Sequence, residues 1–164
     1  MPATPTRTRL AATGLATALA LALAACGDDD ADSASAEPEE VTVRDAWARP
    51  TAAGQTAGAA YMVLTGGTED DRLVGAEVDG SVARTAEIHE TMPAGGMGGG
   101  DAMTMREVDA VDVPAGEEVA LEPGGYHVML LGLAGPLEEG DTVEVDLELE
   151  HAGTIEVTAE VRDR

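Results

Sequence analysis

The side chains in this 164-residue chain whose types and spacing permit chemistry are three histidines and a group of methionines. The stretch from His89 to Met105, HETMPAGGMGGGDAMTM, holds one histidine, four methionines and five glycines. A second stretch, PGGYHVMLLGL, sets His127 two residues before Met129. In an extended strand, residues two apart project to the same side. His127 and Met129 therefore leave the backbone together, opposite Tyr126, Val128 and Leu130, and Met103 and Met105 share a face in the same way. An imidazole beside a thioether supplies much of a soft metal site. The plainer account packs Met129 in the core and lets His127 cap a sheet edge. Met92, Met97, Met103 and Met105 resist a core assignment, because methionine as filler belongs among Leu, Val and Ile, whereas here the neighbours are Gly, Asp, Thr and Pro. His151 lies in a His-Ala-Gly turn away from any methionine and reads as a surface turn residue.

Thioether sulfur is a soft, neutral donor and imidazole is borderline. Together they favour Cu(I) over Mg²⁺ or Ca²⁺ and are a poor offer to Zn²⁺, which takes thiolate, imidazole or carboxylate. Neutral ligands leave Cu(I) its single charge, which suits firm but releasable binding. Methionine also suits an oxidising compartment, since it forms no disulfide, although it oxidises to the sulfoxide. The one cysteine, Cys26, closes the segment LAAC near the N-terminus. With Cys26 lipidated, the rest of the chain has no thiol for a disulfide, a redox couple or the thiolate of a blue-copper electron carrier. Enzyme readings fare poorly as well: the sequence has no nucleophile motif ordered with His and Asp, no phosphate-binding loop and no paired-carboxylate signature.

The elements that must position these side chains read as short strands. From Val41 onward, apolar-alternating runs are separated by Gly66-Gly67, Asp79-Gly80, Pro114-Ala-Gly116, Pro123-Gly-Gly125, Glu139-Gly140 and Ala152-Gly153. The pattern predicts an all-β sandwich or barrel of seven to nine mostly antiparallel strands, with no helix. The last two runs predict a hairpin, with Val143, Val145, Leu147 and Leu149 facing the core and Thr142, Glu144, Asp146 and Glu148 facing water. Phe is absent, so the core must rest on Val, Leu, Ala and Ile.

Residues 1–26 read as a secretory signal: Arg7 and Arg9 precede a short run of small apolar residues. Their end resembles a bacterial lipobox, which makes Cys26 the lipidated first residue of the mature protein and places the domain on the outer face of the cell membrane. Diacyl modification is enough for durable anchoring. Residues 27–40 contain seven acids, no base and no large apolar side chain, the composition of a disordered tether. Residues 41–164 form the folded domain. The formal net charge is −23, and every one of the nine basic residues is arginine. A nucleic-acid partner is implausible, because phosphate binding needs clustered Lys and Arg.

Four segments together resemble the periplasmic copper chaperones of the PCuAC type. They are DAWARPTAAGQTAGAAYMVL, AEIHE, MTMREVDAVDVPAGEEVALEPGGYHVMLLGL and GDTVEVDLELEHAGTIEVTAEV. The similarity runs over roughly residues 41 to 162. The family's metal pattern is His, ten residues, Met, twenty-one residues, His, one residue, Met. Met105, His127 and Met129 keep the second half of that spacing. Fifteen residues separate His89 from Met105, which implies a five-residue insertion in the Gly-rich loop, a change that a loop tolerates at little entropic cost. The resemblance implies a cupredoxin-like β-sandwich whose ligands are His89, Met105, His127 and Met129; the departure from its spacing, a longer loop, leaves Met92, Met97 and Met103 as sulfurs that substitute for one of these or add to them. It implies that the protein binds Cu(I) outside the cytoplasmic membrane and delivers it to cuproenzymes such as cytochrome c oxidase, through a copper-accepting protein that is an oxidase subunit or its assembly factor. Two other readings compete: a lipid-anchored module that binds another envelope protein through sticky methionines, and a Zn²⁺ or Cu²⁺ scavenger using His89, Glu90 and His127.

Overall fold

The computed structural model describes residues 40–93 and 103–164. Cys26, the acidic tether up to Glu39 and Met97 lie outside them. Ten strands form: β1 Thr42–Ala48, β2 Ala57–Thr65, β3 Asp71–Val78, β4 Thr85–Pro93, β5 Met103–Glu107, β6 Val111–Val113, β7 Glu118–Leu121, β8 Tyr126–Leu131, β9 Thr142–Leu149 and β10 Gly153–Val161. Among the described residues there is no helix.

The count exceeds the expected seven to nine because the run from Met103 to Val113 is two strands, not one. β5 pairs with β4, whereas β6 pairs with β3, and these pairings occupy the two ends of the strand order β5-β4-β8-β7-β2-β1-β10-β9-β3-β6. Only residues 108–110 separate β5 from β6. Such a link spans at most roughly 14 Å, so the two ends of the sheet must approach each other and the sheet must curl. Curling gives one enclosed apolar face. Leu64, Leu73, Val128, Leu130, Val145 and Leu147 are each 0 % exposed on it.

The predicted hairpin forms as β9 and β10, with Leu149 opposite Gly153 and Val145 opposite Val157. Val143, Val145, Leu147 and Leu149 are buried. Its turn is fastened to β3 by Asp71, which is only 5 % exposed. The Asp71 carboxylate accepts hydrogen bonds from the backbone N–H of Arg72 (2.7 Å), His151 (3.0 Å) and Ala152 (2.8 Å). Burial alone would raise the pKa of this carboxyl, but the three N–H donors together with the His151 side chain lower it below the ordinary Asp value. The His151 ring stands exposed beside it, a turn residue as expected.

β8 is an interior strand, flanked by β4 on one side and by β2 and β7 on the other. His127 therefore does not cap a sheet edge. β5 is the opposite case, a terminal strand whose five residues are all exposed.

Candidate metal centre

The arrangement follows from strand register. In an antiparallel ladder, residues directly opposite each other share a sheet face, and each face repeats every second residue. His89 lies opposite His127 and Glu87 opposite Met129 in the β4–β8 pair. Thr91 lies opposite Met105 and Pro93 opposite Met103 in the β4–β5 pair. One face therefore carries Glu87 and His89 from β4, His127 and Met129 from β8, and Met103 and Met105 from β5. It is the face opposite Ile88, Val128 and Leu130, which fill the core.

Strand β4 runs four residues past His89. The Arg106 guanidinium donates to the Glu90 carboxylate across the β4–β5 ladder at 2.8 Å, which ties the two strands one residue beyond His89. Register alternation places Glu90 and Met92 on the face away from the histidines. Glu90 therefore does not join His89 and His127. Met103 shares their face but sits one ladder step beyond Met105.

The two imidazoles are adjacent, with ring centroids 6.0 Å apart and planes inclined by 44°. An imidazole nitrogen bound to a first-row metal at about 2.0 Å puts the ring centroid about 3.2 Å from the ion, so two rings on one ion stand at most about 6.4 Å apart. The observed separation meets that limit. His127 is 2 % exposed. Its Nδ1 lies 3.1 Å from the Gly125 carbonyl oxygen, an acceptor only, so Nδ1 carries the proton and Nε2 keeps its lone pair. The His89 Nε2 lies 3.0 Å from the Glu87 carboxylate, which likewise leaves its Nδ1 as the free donor atom. His127 Nε2 and His89 Nδ1 are both buried without a hydrogen-bond partner. A buried polar atom left unpaired costs about 1–3 kcal/mol, and a bound cation is one way to recover it.

Electrostatics keep His127 neutral. Burial pushes its pKa below the ordinary histidine value; the Gly125 carbonyl works the other way, and the neighbouring His89 adds to the lowering. A neutral imidazole is the form that ligates metal. Beyond His127 the same side of the sheet continues into aromatic rings: Tyr61 lies 6.2 Å from His127, and Trp47 lies 4.5 Å from Tyr61. Both are 5 % exposed, and they wall the histidines from solvent on that flank. The thioethers differ in access. Met129 is half-buried on β8, whereas Met105 is 58 % and Met103 56 % exposed.

Among the described residues no group of three or more His, Cys, Asp or Glu side chains is arranged to hold a metal ion. The donors that share this face are two imidazoles and the thioethers of Met103, Met105 and Met129. The residue that sequence reading passed over is Glu87. The rule that paired His127 with Met129, two apart on a strand, also pairs Glu87 with His89.

Comparison with known proteins identifies the family and the fold. A family model described as "Putative lipoprotein LpqE-like" matches residues 41–161. The chain is 37% identical over 125 residues to "Putative lipoprotein Lxx21020" of Leifsonia xyli subsp. xyli, covering 75% of this chain and 70% of that one. The solution structure of Cu(I)-bound DR1885 from Deinococcus radiodurans superposes with a TM-score of 0.59 at 34% identity, covering 80% of this chain and 85% of the other. The copper-bound PCuAC domain of PmoF2 gives a TM-score of 0.60 at 25% identity, over 79% of this chain and 97% of its own. The expected all-β, cupredoxin-like class is that of these neighbours. The chain belongs to the LpqE-like family, and its β domain is of the PCuAC type.

Proposed function

We propose that the domain is an extracytoplasmic copper chaperone that holds one Cu(I) between His89 Nδ1, His127 Nε2, Met105 and Met129. The observation that carries this reading is the pair of facing imidazoles, each with a buried unpartnered nitrogen, on the face that also bears the two thioethers. Copper-bound members of the same structural group support the choice of metal, as does the softness of the donor set. Met105 is preferred to Met103 because it stands one ladder step nearer to His89.

Two neutral imidazoles and two thioethers bind Cu(I) without taking up or releasing an electron. Hand-over is then ligand exchange: one Cu–S bond breaks as a donor from the accepting protein forms its own bond. Met105, exposed on the terminal strand β5, is the ligand that such a donor reaches first, while His127 is buried beside Tyr61. Lipidation at Cys26 would hold the domain on the outer face of the membrane, with residues 27–40 as its tether. Delivery to an oxidase subunit or its assembly factor is the role that the family resemblance suggests.

The test is competition between the domain and a Cu(I) chelator. One Cu(I) per domain is expected, with binding nearly abolished in His127→Ala and Met129→Ala and unaffected in His151→Ala. A domain that leaves Cu(I) with the chelator, or that binds equally well in both variants, refutes the proposal. Zn²⁺ held more tightly than Cu(I) and indifferent to the methionines would instead favour a scavenger built on the two histidines without Glu90.

A further inference from the structure

The side chain paired with His89 on β4 has no role in the ligand set, yet its placement is specific. Glu87 and His89 are two residues apart on one strand face, and Glu87 sits directly across the ladder from Met129. It therefore occupies the fourth corner of a rectangle whose other corners are His89, His127 and Met129. Its carboxylate Oε2 lies 3.0 Å from His89 Nε2. The carboxylate is partly screened from water, with the Glu87 side chain 30% and the His89 side chain 16% exposed. By contrast, Glu90, one residue beyond His89 on the same strand, faces the other way and is held by Arg106.

We infer that Glu87 is a positioning residue for the metal centre: it keeps the His89 proton on Nε2 and so presents Nδ1 to Cu(I). A free neutral histidine exchanges between two tautomers, and only the one with an unprotonated Nδ1 can ligate through that atom. An ionised carboxylate accepts hydrogen bonds and donates none, so a carboxylate at Nε2 selects that tautomer and fixes the ring's rotation. A carboxylate behind a ligating imidazole also raises its basicity toward the metal. Gly125 does the matching work for His127 through a backbone carbonyl on Nδ1. The two rings are thereby set in opposite tautomers, which lets them approach one ion from adjacent strands with different nitrogens. The inference rests on the copper reading above for its consequence, but not for its geometry.

The experiment records the ring nitrogens of His89 and His127 by long-range ¹H–¹⁵N NMR on copper-free protein near about pH 8, where histidine is neutral, and measures Cu(I) affinity by competition on the same samples. Wild type is expected to show His89 protonated at Nε2 and His127 at Nδ1. Glu87→Ala should leave His127 unchanged, mix the His89 tautomers, and weaken Cu(I) binding roughly 10- to 100-fold. Glu87→Gln, whose amide oxygen still accepts, should retain the Nε2 proton and lose less affinity than the alanine variant. Glu90→Gln removes a neighbouring charge from the opposite face and should change neither readout. Wild-type His89 protonated at Nδ1, or Glu87→Ala with the wild-type tautomer and affinity, overturns the inference. A wild-type domain that takes no Cu(I) refutes the copper reading alone, because the tautomers in copper-free protein still decide what Glu87 does.

Discussion

Replacing His127 with leucine separates a residue kept for ligand binding from one kept for the fold. His127 is 2 % exposed, and its Nε2 has no partner. Leaving a buried polar atom unpaired costs about 1–3 kcal/mol, and a typical hydrogen bond such as that from Nδ1 to Gly125 returns about 0.5–1.5 kcal/mol. Leucine is close to histidine in volume and removes both contributions. The Gly125 carbonyl is not orphaned by the change, because it also accepts from the Thr91 N–H at 3.0 Å. The copper-free His127→Leu domain should therefore equal wild type in stability or exceed it, by up to roughly 2 kcal/mol. For a domain of this size each kcal/mol moves Tm by about 4 °C. The assay is urea and thermal unfolding of both proteins with a Cu(I) chelator present, then with Cu(I) at a hundred times its dissociation constant. Under that loading wild type should gain about 2.7 kcal/mol and the variant nothing. A copper-free variant destabilised by about 2 kcal/mol or more would refute the reasoning, since it would make His127 a structural residue whose ring the core requires.

Further outcomes follow from the same geometry. Because burial depresses the His127 pKa, the unfolded chain takes up a proton there more readily than the folded one. The contribution of neutral His127 is complete above about pH 6.5 and is lost as pH falls through the lowered folded value; unfolding free energy of copper-free protein should fall across that window, and His127→Leu should flatten the slope. Met105→Ala should weaken Cu(I) binding at least tenfold without moving Tm, since the side chain is 58 % exposed; a matching loss in Met103→Ala would remove the preference for Met105. Asp71→Asn replaces a carboxylate that accepts three backbone N–H bonds and should cost about 1–3 kcal/mol in urea unfolding, with Cu(I) affinity unchanged in the competition assay.

The sequence by itself determined the local features. Alternation along Val143–Leu149, glycine-bearing turns and the absence of any helical stripe specify strands, because a strand's inward and outward positions are fixed by a period of two that is visible in any run. The same rule placed His127 with Met129 and Met105 with Met103. What it could not decide was which strands lie side by side. The split of Met103–Val113 between the two ends of a curled sheet depends on pairings with β4 and β3, each set by residues far away in the chain. Glu90 and Glu87 look equivalent beside His89 as letters; alternation puts them on opposite faces, and only the β4–β8 register puts Glu87 across from Met129. The burial of His127 beside Tyr61 is likewise a product of the assembled sheet. So too is the state of its two nitrogens, one bonded to Gly125 and one left free, because hydrogen-bond partners and solvent exclusion belong to the assembled sheet and not to any segment of it.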